Sequence, residues 1–98
     1  MNGMRHESSL IVLADEVVTP WVGCFADLSA QAFELIRMRA PQIVLLGTGA
    51  RLRFPSPALY AGLLEARIGV EVMDTAAACR TYNILAAEGR RVAAALLL

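Results

Sequence analysis

Short apolar runs alternate with longer amphipathic stretches along the chain, a pattern that predicts strands separated by helices. The first two apolar runs are divided only by Asp15 and Glu16, so we expect two short antiparallel strands joined by a turn. The later runs are typical of strands buried within a sheet. The predicted strands are Ser9–Ala14, Val17–Thr19, Gln42–Leu46, Val70–Met73 and Arg91–Leu97.

Residues that start and stop helices lie between these runs. Ser29 is a predicted N-cap of a helix that ends near Arg39, because Pro41 disfavours the α conformation at the residue before it. Ser56, followed by a proline, begins a second predicted helix, and Gly69 is expected to end it in the left-handed conformation.

A third predicted helix follows Asp74 and Thr75, continues to about Glu88 and ends at Gly89. The resulting order is β-β-α-β-α-β-α-β, which predicts an α/β fold with a mixed sheet. The strands on either side of the second helix form a right-handed crossover unit and should be parallel neighbours. We expect residues 1–98 to form a single domain.

Two aromatic residues, Trp21 and Phe25, lie in the segment 21–28, which is predicted to be a loop. An exposed aromatic side chain there would be suited to anchor an interface. Packing into the core is equally compatible with the sequence, so both interpretations stay open.

Composition narrows the class of protein. Of the 98 residues, 57% are hydrophobic and 18% are charged, which excludes an intrinsically disordered chain. The nine basic residues balance the nine acids, so nothing favours nucleic acid or an anionic membrane as a partner. The longest apolar run, Val92–Leu98, is too short to cross a bilayer. We therefore expect a soluble cytoplasmic protein that does not insert into membranes.

Candidate chemistry lies where two predicted parallel strands end. Gly47, Thr48 and Gly49 follow one strand, and Asp74 and Thr75 follow the next. Because ligands gather at the carboxyl ends of parallel strands, these loops are predicted to open onto one crevice that holds an anion or a polar backbone. A tight strand exit and a helix cap are the favoured interpretation of the same residues. The arginines that could reach the crevice are Arg51, Arg53 and Arg80.

The outer face of the third predicted helix is a second candidate for binding. At helical spacing, Arg80 and Asn83 share this face with Cys79, and Arg90 follows on the same side. Two guanidinium groups and an amide suit bidentate contacts with a carboxylate or a backbone segment. A solvated surface is the favoured interpretation of this face taken by itself.

Several catalytic and cofactor motifs are absent from the sequence. Leu52 stands where a dinucleotide fingerprint requires its third glycine, and a chain without lysine cannot form the usual phosphate-binding loop. His6 is the only histidine, so histidine-based triads and metal sites lack their central residue. Cys24 and Cys79 lack metal-binding spacing and are expected to be reduced thiols. We expect no cofactor and no metal, and a non-catalytic protein is favoured over an enzyme.

The segment Asp74–Val92, together with the sequence PQIVLLGTG over 41–49, resembles a small domain family of largely unknown function. This Mth938-like family includes a mitochondrial respiratory complex I assembly factor and bacterial and archaeal relatives. The resemblance implies a three-layer fold with a central mixed sheet whose last strand runs antiparallel to its neighbours. It also implies a further N-terminal strand in relatives, ahead of the position of Asn2, which we expect this sequence to lack. The matching motif positions are Gly47, Gly49, Asp74, Thr75, Arg80, Thr81, Asn83, Glu88 and Arg90.

Two functions remain open at this point. The favoured one is a non-catalytic binding or assembly protein that presents the motif region and an apolar patch to a protein partner or to a second copy. The alternative is a small enzyme or ligand-binding domain that uses the crevice, with Arg80 binding an anionic group. A flat polar strip would favour the first, and a pocket formed by Asp74, Thr75 and Arg80 would favour the second.

Overall fold

The computed structural model describes residues 9–98, which form a mixed sheet covered by helices on both faces. The strands are β1 (Leu10–Val12), β2 (Val17–Val18), β3 (Ile43–Thr48), β4 (Gly69–Met73) and β5 (Val92–Leu97). The α-helices are α1 (Ala30–Arg37), α2 (Ala61–Glu65) and α3 (Thr75–Ala87). Short 3₁₀ turns at Phe25–Asp27 and Pro57–Tyr60 precede α1 and α2. This order confirms the predicted β-β-α-β-α-β-α-β succession.

The five strands lie in the order β2-β1-β5-β3-β4. As predicted, β1 and β2 are antiparallel, and β3 and β4 are parallel neighbours. The expected direction of the last strand is correct on one side only, because β5 is antiparallel to β1 but parallel to β3. The physical reason is that α3 returns the chain to the end of the sheet at which β4 begins.

The sheet separates two apolar layers, which confirms the three-layer fold. On one face, Phe33 of α1 and Leu63 of α2 are buried against the sheet. On the opposite face, Ala78 and Tyr82 of α3 are buried in a separate cluster. Each helix therefore buries one stripe of apolar side chains and leaves its other side exposed.

Small side chains in the central strand allow helices to approach it from both sides. Every residue of β5 is buried. Because neighbouring side chains of a strand point to opposite faces, Ala93 and Ala95 lie in the α1 layer and Ala94 lies in the α3 layer. Three consecutive alanines thus lie where two helical layers close on one strand.

Local hydrogen bonds explain where the first and third helices begin. The Ser29 hydroxyl accepts a hydrogen bond from the Ala32 N–H at 3.2 Å, and the Asp74 carboxylate accepts one from the Ala77 N–H at 2.8 Å. Trp21 is buried, and its indole N–H donates to the Ala32 carbonyl at 3.0 Å. This aromatic side chain therefore belongs to the core.

The second helix differs from its prediction at both ends. Ser56 makes no side-chain cap, and the chain turns through a 3₁₀ segment before a short α2. Gly69 is not the residue that ends the helix, because it already belongs to β4. Arg67 takes the left-handed conformation instead, with φ of +63°. The Ile68 N–H then donates to the Leu63 carbonyl at 2.9 Å, and this backbone bond closes the helix. The side chains of both residues are buried in the core.

The other helix ends follow local signals more closely. Gly89 has φ of +81° and ends α3 as predicted. The first helix ends at Arg37, two residues before the expected position. Ala40 has φ of +49° rather than the extended conformation expected before Pro41. A tight turn between α1 and β3 therefore overrides the usual preference at this position.

We expect Ala94→Leu to destabilise the protein although it adds apolar surface. A larger side chain between β5 and α3 overpacks the layer and should cost about 1–3 kcal/mol of the free energy of unfolding. Urea denaturation followed by circular dichroism measures the change. The matched control, Ala86→Leu on the exposed side of α3, should stay within about 0.5 kcal/mol of the unsubstituted protein. An unchanged urea midpoint for Ala94→Leu would show that this layer has room.

Substitutions at the two left-handed helix ends should act in opposite directions. Arg67→Gly relieves an unfavourable φ and should raise the free energy of unfolding by up to about 1 kcal/mol. Gly89→Ala introduces the same strain and should lower it by about 1 kcal/mol, although a Cβ there would meet no atom within 4 Å. Thermal unfolding checks both changes, and equal signs for the two variants would contradict this account.

Candidate functional site

The ends of three neighbouring strands are tied together by one threonine side chain. The Gly49 N–H donates to the Thr75 hydroxyl oxygen at 2.8 Å, and the Thr75 N–H donates to the Gly49 carbonyl at 2.9 Å. The Thr75 hydroxyl donates in turn to the carbonyl of Leu97. The loops after β3 and β4 and the end of β5 therefore meet at Thr75, so the two predicted strand ends do lie side by side.

Gly47 allows this approach because it has no side chain. A Cβ at this position would lie 2.9 Å from the Thr75 Cα and 3.0 Å from the Leu96 Cδ2. Since 2.9 Å is closer than real Cβ contacts come, the start of α3 can pack on β3 only over a glycine. The predicted crevice between these two loops is thus filled by direct contact and backbone hydrogen bonding.

Asp74 and Arg80 do not converge with Thr75 on a pocket. The Asp74 carboxylate is used in capping α3. Arg80 lies six positions further on, about 9 Å along the helix axis at the usual rise per residue, and its side chain is exposed. The structure therefore brings Gly47, Gly49, Asp74 and Thr75 together, and leaves the arginine on the outer side of the helix.

Thr48 points to the opposite face of the sheet from Gly47, because alternate strand residues face opposite sides. It is buried, and its hydroxyl donates to the Arg51 carbonyl at 2.6 Å while accepting from the Arg53 N–H at 3.0 Å. These bonds fold the segment after β3 back over the strand end. The strand therefore ends two residues later than predicted, at Thr48 instead of Leu46, because Gly47 and Thr48 still belong to β3.

A cavity of about 390 Å³ lies on this face of the sheet, beside the folded-back segment. Its lining includes Thr48, Gly49, Arg51 and Arg53. None of Asp74, Thr75 and Arg80 contributes to it. The concave site at this edge of the sheet is therefore in a different position from the predicted crevice, and it shares only part of its residues.

The outer face of α3 carries the remaining predicted residues. Arg80, Asn83 and Arg90 are exposed, and their side chains make no hydrogen bond or ion pair with any residue of the described range 9–98. Ile84 is 60% exposed on the same helix, four positions after Arg80. Helical spacing places it beside Arg80, on the side of that residue away from Asn83, a signal present in the sequence that our prediction of this face did not use. Cys79 is half-buried against the α3 layer.

Two further groups have shifted pKa values for structural reasons. Burial of the Tyr82 side chain on the inner side of α3 raises the pKa of its phenol. On α1, the hydrogen bond from Arg37 lowers the pKa of Glu34. Both groups lie away from the strand ends and take part in packing or in a surface ion pair. His6 and Asn2 lie outside the described residues.

Within the range 9–98, no group of three or more histidine, cysteine or acidic side chains is arranged to hold a metal ion. Over the same range, the helices are too short or too polar to cross a membrane.

The chain is similar over nearly its whole length to proteins of one family. Residues 1–97 match the family described as "Protein of unknown function (DUF498/DUF598)". A Bos taurus protein named NADH dehydrogenase (ubiquinone) 1 alpha subcomplex assembly factor 3 is 37% identical over 99% of this chain and 54% of its own length. The chain thus spans about half the length of this curated relative.

Solved structures give the same result for the fold. A crystal structure of a Bordetella parapertussis protein is 42% identical, with a TM-score of 0.89 over 98% of this chain and 83% of that one. A Bordetella pertussis protein described as an Mth938-like domain is 36% identical, with a TM-score of 0.81 over 98% of this chain and 77% of that one. The three-layer fold is therefore shared with experimentally determined structures.

We expect Thr75→Val to destabilise the fold without changing its volume. The substitution leaves the Gly49 N–H and the Leu97 carbonyl without their partner, which should cost about 1–3 kcal/mol of the free energy of unfolding. Thr75→Ser keeps the hydroxyl and is the matched control, with a loss at least about 1 kcal/mol smaller. Urea denaturation of both variants measures the difference, and equal losses would show that the hydroxyl does not tie the strand ends.

Proposed function

The chain belongs to the DUF498/DUF598 family of proteins of unknown function, and from this premise we propose that it is a non-catalytic assembly factor that binds a protein partner. The name of the Bos taurus relative supports an assembly role. Because this chain spans only about half of that relative, the partner is inferred from the chain's own surface. The proposal places docking on the outer face of α3.

One observation carries this proposal: α3 presents an exposed apolar side chain beside polar groups that have no partner among residues 9–98. We call this the α3 surface, and it consists of the exposed residues Ala76, Arg80, Asn83, Ile84 and Ala87. Protein interfaces combine apolar side chains that become buried with polar side chains beside them. Ile84 is 60% exposed, so its burial by a partner would contribute favourable hydrophobic free energy to binding.

Charged side chains on the α3 surface and just after the end of α3 indicate the chemistry of the partner. Arg80 and Arg90 have no carboxylate partner within residues 9–98, so their guanidinium donors are free to bind one from outside. The exposed Glu88 lies at the end of the same helix and would favour a cation opposite it. We therefore infer a partner segment with an apolar side chain, acidic residues opposite the two arginines and a basic residue opposite Glu88.

The alternative function loses its structural basis. It requires a crevice between the triplet at 47–49 and the pair at 74–75, but Gly49 and Thr75 are directly hydrogen-bonded there. A small anionic molecule could enter only by breaking these bonds. A cytoplasmic location is part of our proposal, and the free thiols of Cys24 and Cys79 support a reducing compartment.

Affinity co-purification from native extract tests the α3 surface. We expect Ile84→Glu and Arg80→Ala to lower the recovery of the bound proteins at least about tenfold, which corresponds to 1.4 kcal/mol of binding free energy. Phe54→Ala is the matched control, because Phe54 is 72% exposed but lies outside α3. With Phe54→Ala, the recovery of the bound proteins should equal that obtained with the unsubstituted protein.

Folding and self-association are measured on the same variants. Both α3 substitutions are at exposed positions and should leave the thermal unfolding midpoint nearly unchanged. Light scattering after size exclusion shows whether the bound protein is a second copy of this chain. Recovery of the same proteins with every variant would exclude the α3 surface as the docking site.

A further inference from the structure

The cavity of about 390 Å³ on the other face of the sheet has the size of a small-molecule site. It lies at the carboxyl end of β3, where its wall is formed by Arg51 and Arg53 together with Phe25 and Leu97. Phe25 and Leu97 belong to the α1 layer. The cavity is therefore separated from the α3 surface by the sheet itself, and its role is independent of the proposed function.

The backbone that carries the two arginines is held by a buried group. The Thr48 hydroxyl bonds the Arg51 carbonyl at 2.6 Å and the Arg53 N–H at 3.0 Å. Thr48 is 1% exposed, so this contact is protected from water and fixes the segment against the end of β3. Both guanidinium groups thus extend from a backbone that needs little rearrangement to bind a ligand.

Phe25 holds one of the two guanidinium groups. The Arg53 Cζ lies 4.3 Å from the centre of the Phe25 ring, a cation–π contact that uses the face of the guanidinium. The N–H donors at its planar edge are not consumed by this contact and can still bind an oxyanion. Phe25, one of the two aromatic residues of the 21–28 segment, thereby positions a charged side chain.

The cavity has an unbalanced positive charge among its described side chains. Arg51 and Arg53 line it, and no aspartate or glutamate does. Neither arginine forms an ion pair with a residue of the described range. The Asp27 carboxylate accepts a contact from the Cys24 sulfur at 3.6 Å but does not line the cavity. An anion entering the cavity would thus meet two guanidinium groups without a competing carboxylate side chain.

We propose that this cavity binds a small organic anion, with its carboxylate or phosphate group on Arg51 and Arg53 and its apolar part against Phe25 and Leu97. The two guanidinium groups supply the planar donor pairs that both kinds of oxyanion accept. The aromatic ring and the leucine supply an apolar wall that inorganic ions cannot use. A ligand that combines a charged head with a small ring or chain matches both parts of the lining.

Amide chemical shifts of the isotope-labelled protein test this site directly. Benzoate and phenyl phosphate are the two charged probes, inorganic phosphate lacks the apolar part, and benzyl alcohol lacks the charge. We expect both charged aromatic probes to shift the amide signals of Gly49 to Arg53 and of Leu97. Inorganic phosphate should bind more weakly than phenyl phosphate, and benzyl alcohol should leave these signals unchanged. Equal shifts with benzyl alcohol, or no shifts at these residues with either anion, would overturn the proposal.

Substitutions separate the cavity from other arginines of the surface. Arg51→Gln should weaken binding of the tighter charged probe at least about tenfold, the effect of losing a charge-assisted hydrogen bond. The Arg51 side chain is exposed and makes no hydrogen bond, ion pair or ring contact with a described residue. Arg53→Gln should weaken binding at least as much. The matched control Arg67→Gln removes an exposed arginine outside the cavity and should leave the dissociation constant unchanged. Equal affinity in all three variants would show that the cavity does not bind the anion.

Discussion

Close contact between Gly47 and the first residue of α3 sets the geometry on which the other features depend. The Thr75 hydroxyl joins the loop after β3 to the end of β5, and a side chain at position 47 would separate them. This contact places the N-terminus of α3 on the sheet and so determines which side of the helix faces outward. The α3 surface is therefore a consequence of a packing requirement at the strand ends.

The alternation of β3 divides the triplet 47–49 between the two faces of the sheet. Gly47 lies under α3, while the Thr48 side chain bonds the segment that carries Arg51 and Arg53 on the other face. One short sequence thus supports two surfaces of different kinds. The face with α3 offers an exposed strip suited to a protein, and the opposite face offers a concave site suited to a small anion.

Overall charge balance conceals a local imbalance. The chain has a formal net charge of zero, which gave no reason to expect an anionic partner. In the fold, Glu34 and Arg37 pair on α1, and Glu16 pairs with Arg39 at 2.8 Å. The two charges within each pair neutralise each other. The arginines of the cavity and of the α3 surface, by contrast, have no acidic partner among the described residues. The functions proposed for both places depend on charges that have no partner among residues 9–98.

The sequence alone determined the features that depend on neighbouring residues. Ser29 and Asp74 cap their helices through bonds to N–H groups three residues away, and the buried strands follow from continuous apolar runs. Tertiary structure decided what depends on distant residues. Arg67 adopts a left-handed conformation because Ile68 must reach Leu63, a contact that outweighs the preference for glycine. The prediction of an open crevice was wrong for the same reason. The order of the elements indicates that two strand ends are adjacent. Whether the space between them is empty depends on the tertiary packing of a side chain such as that of Thr75, which fills it.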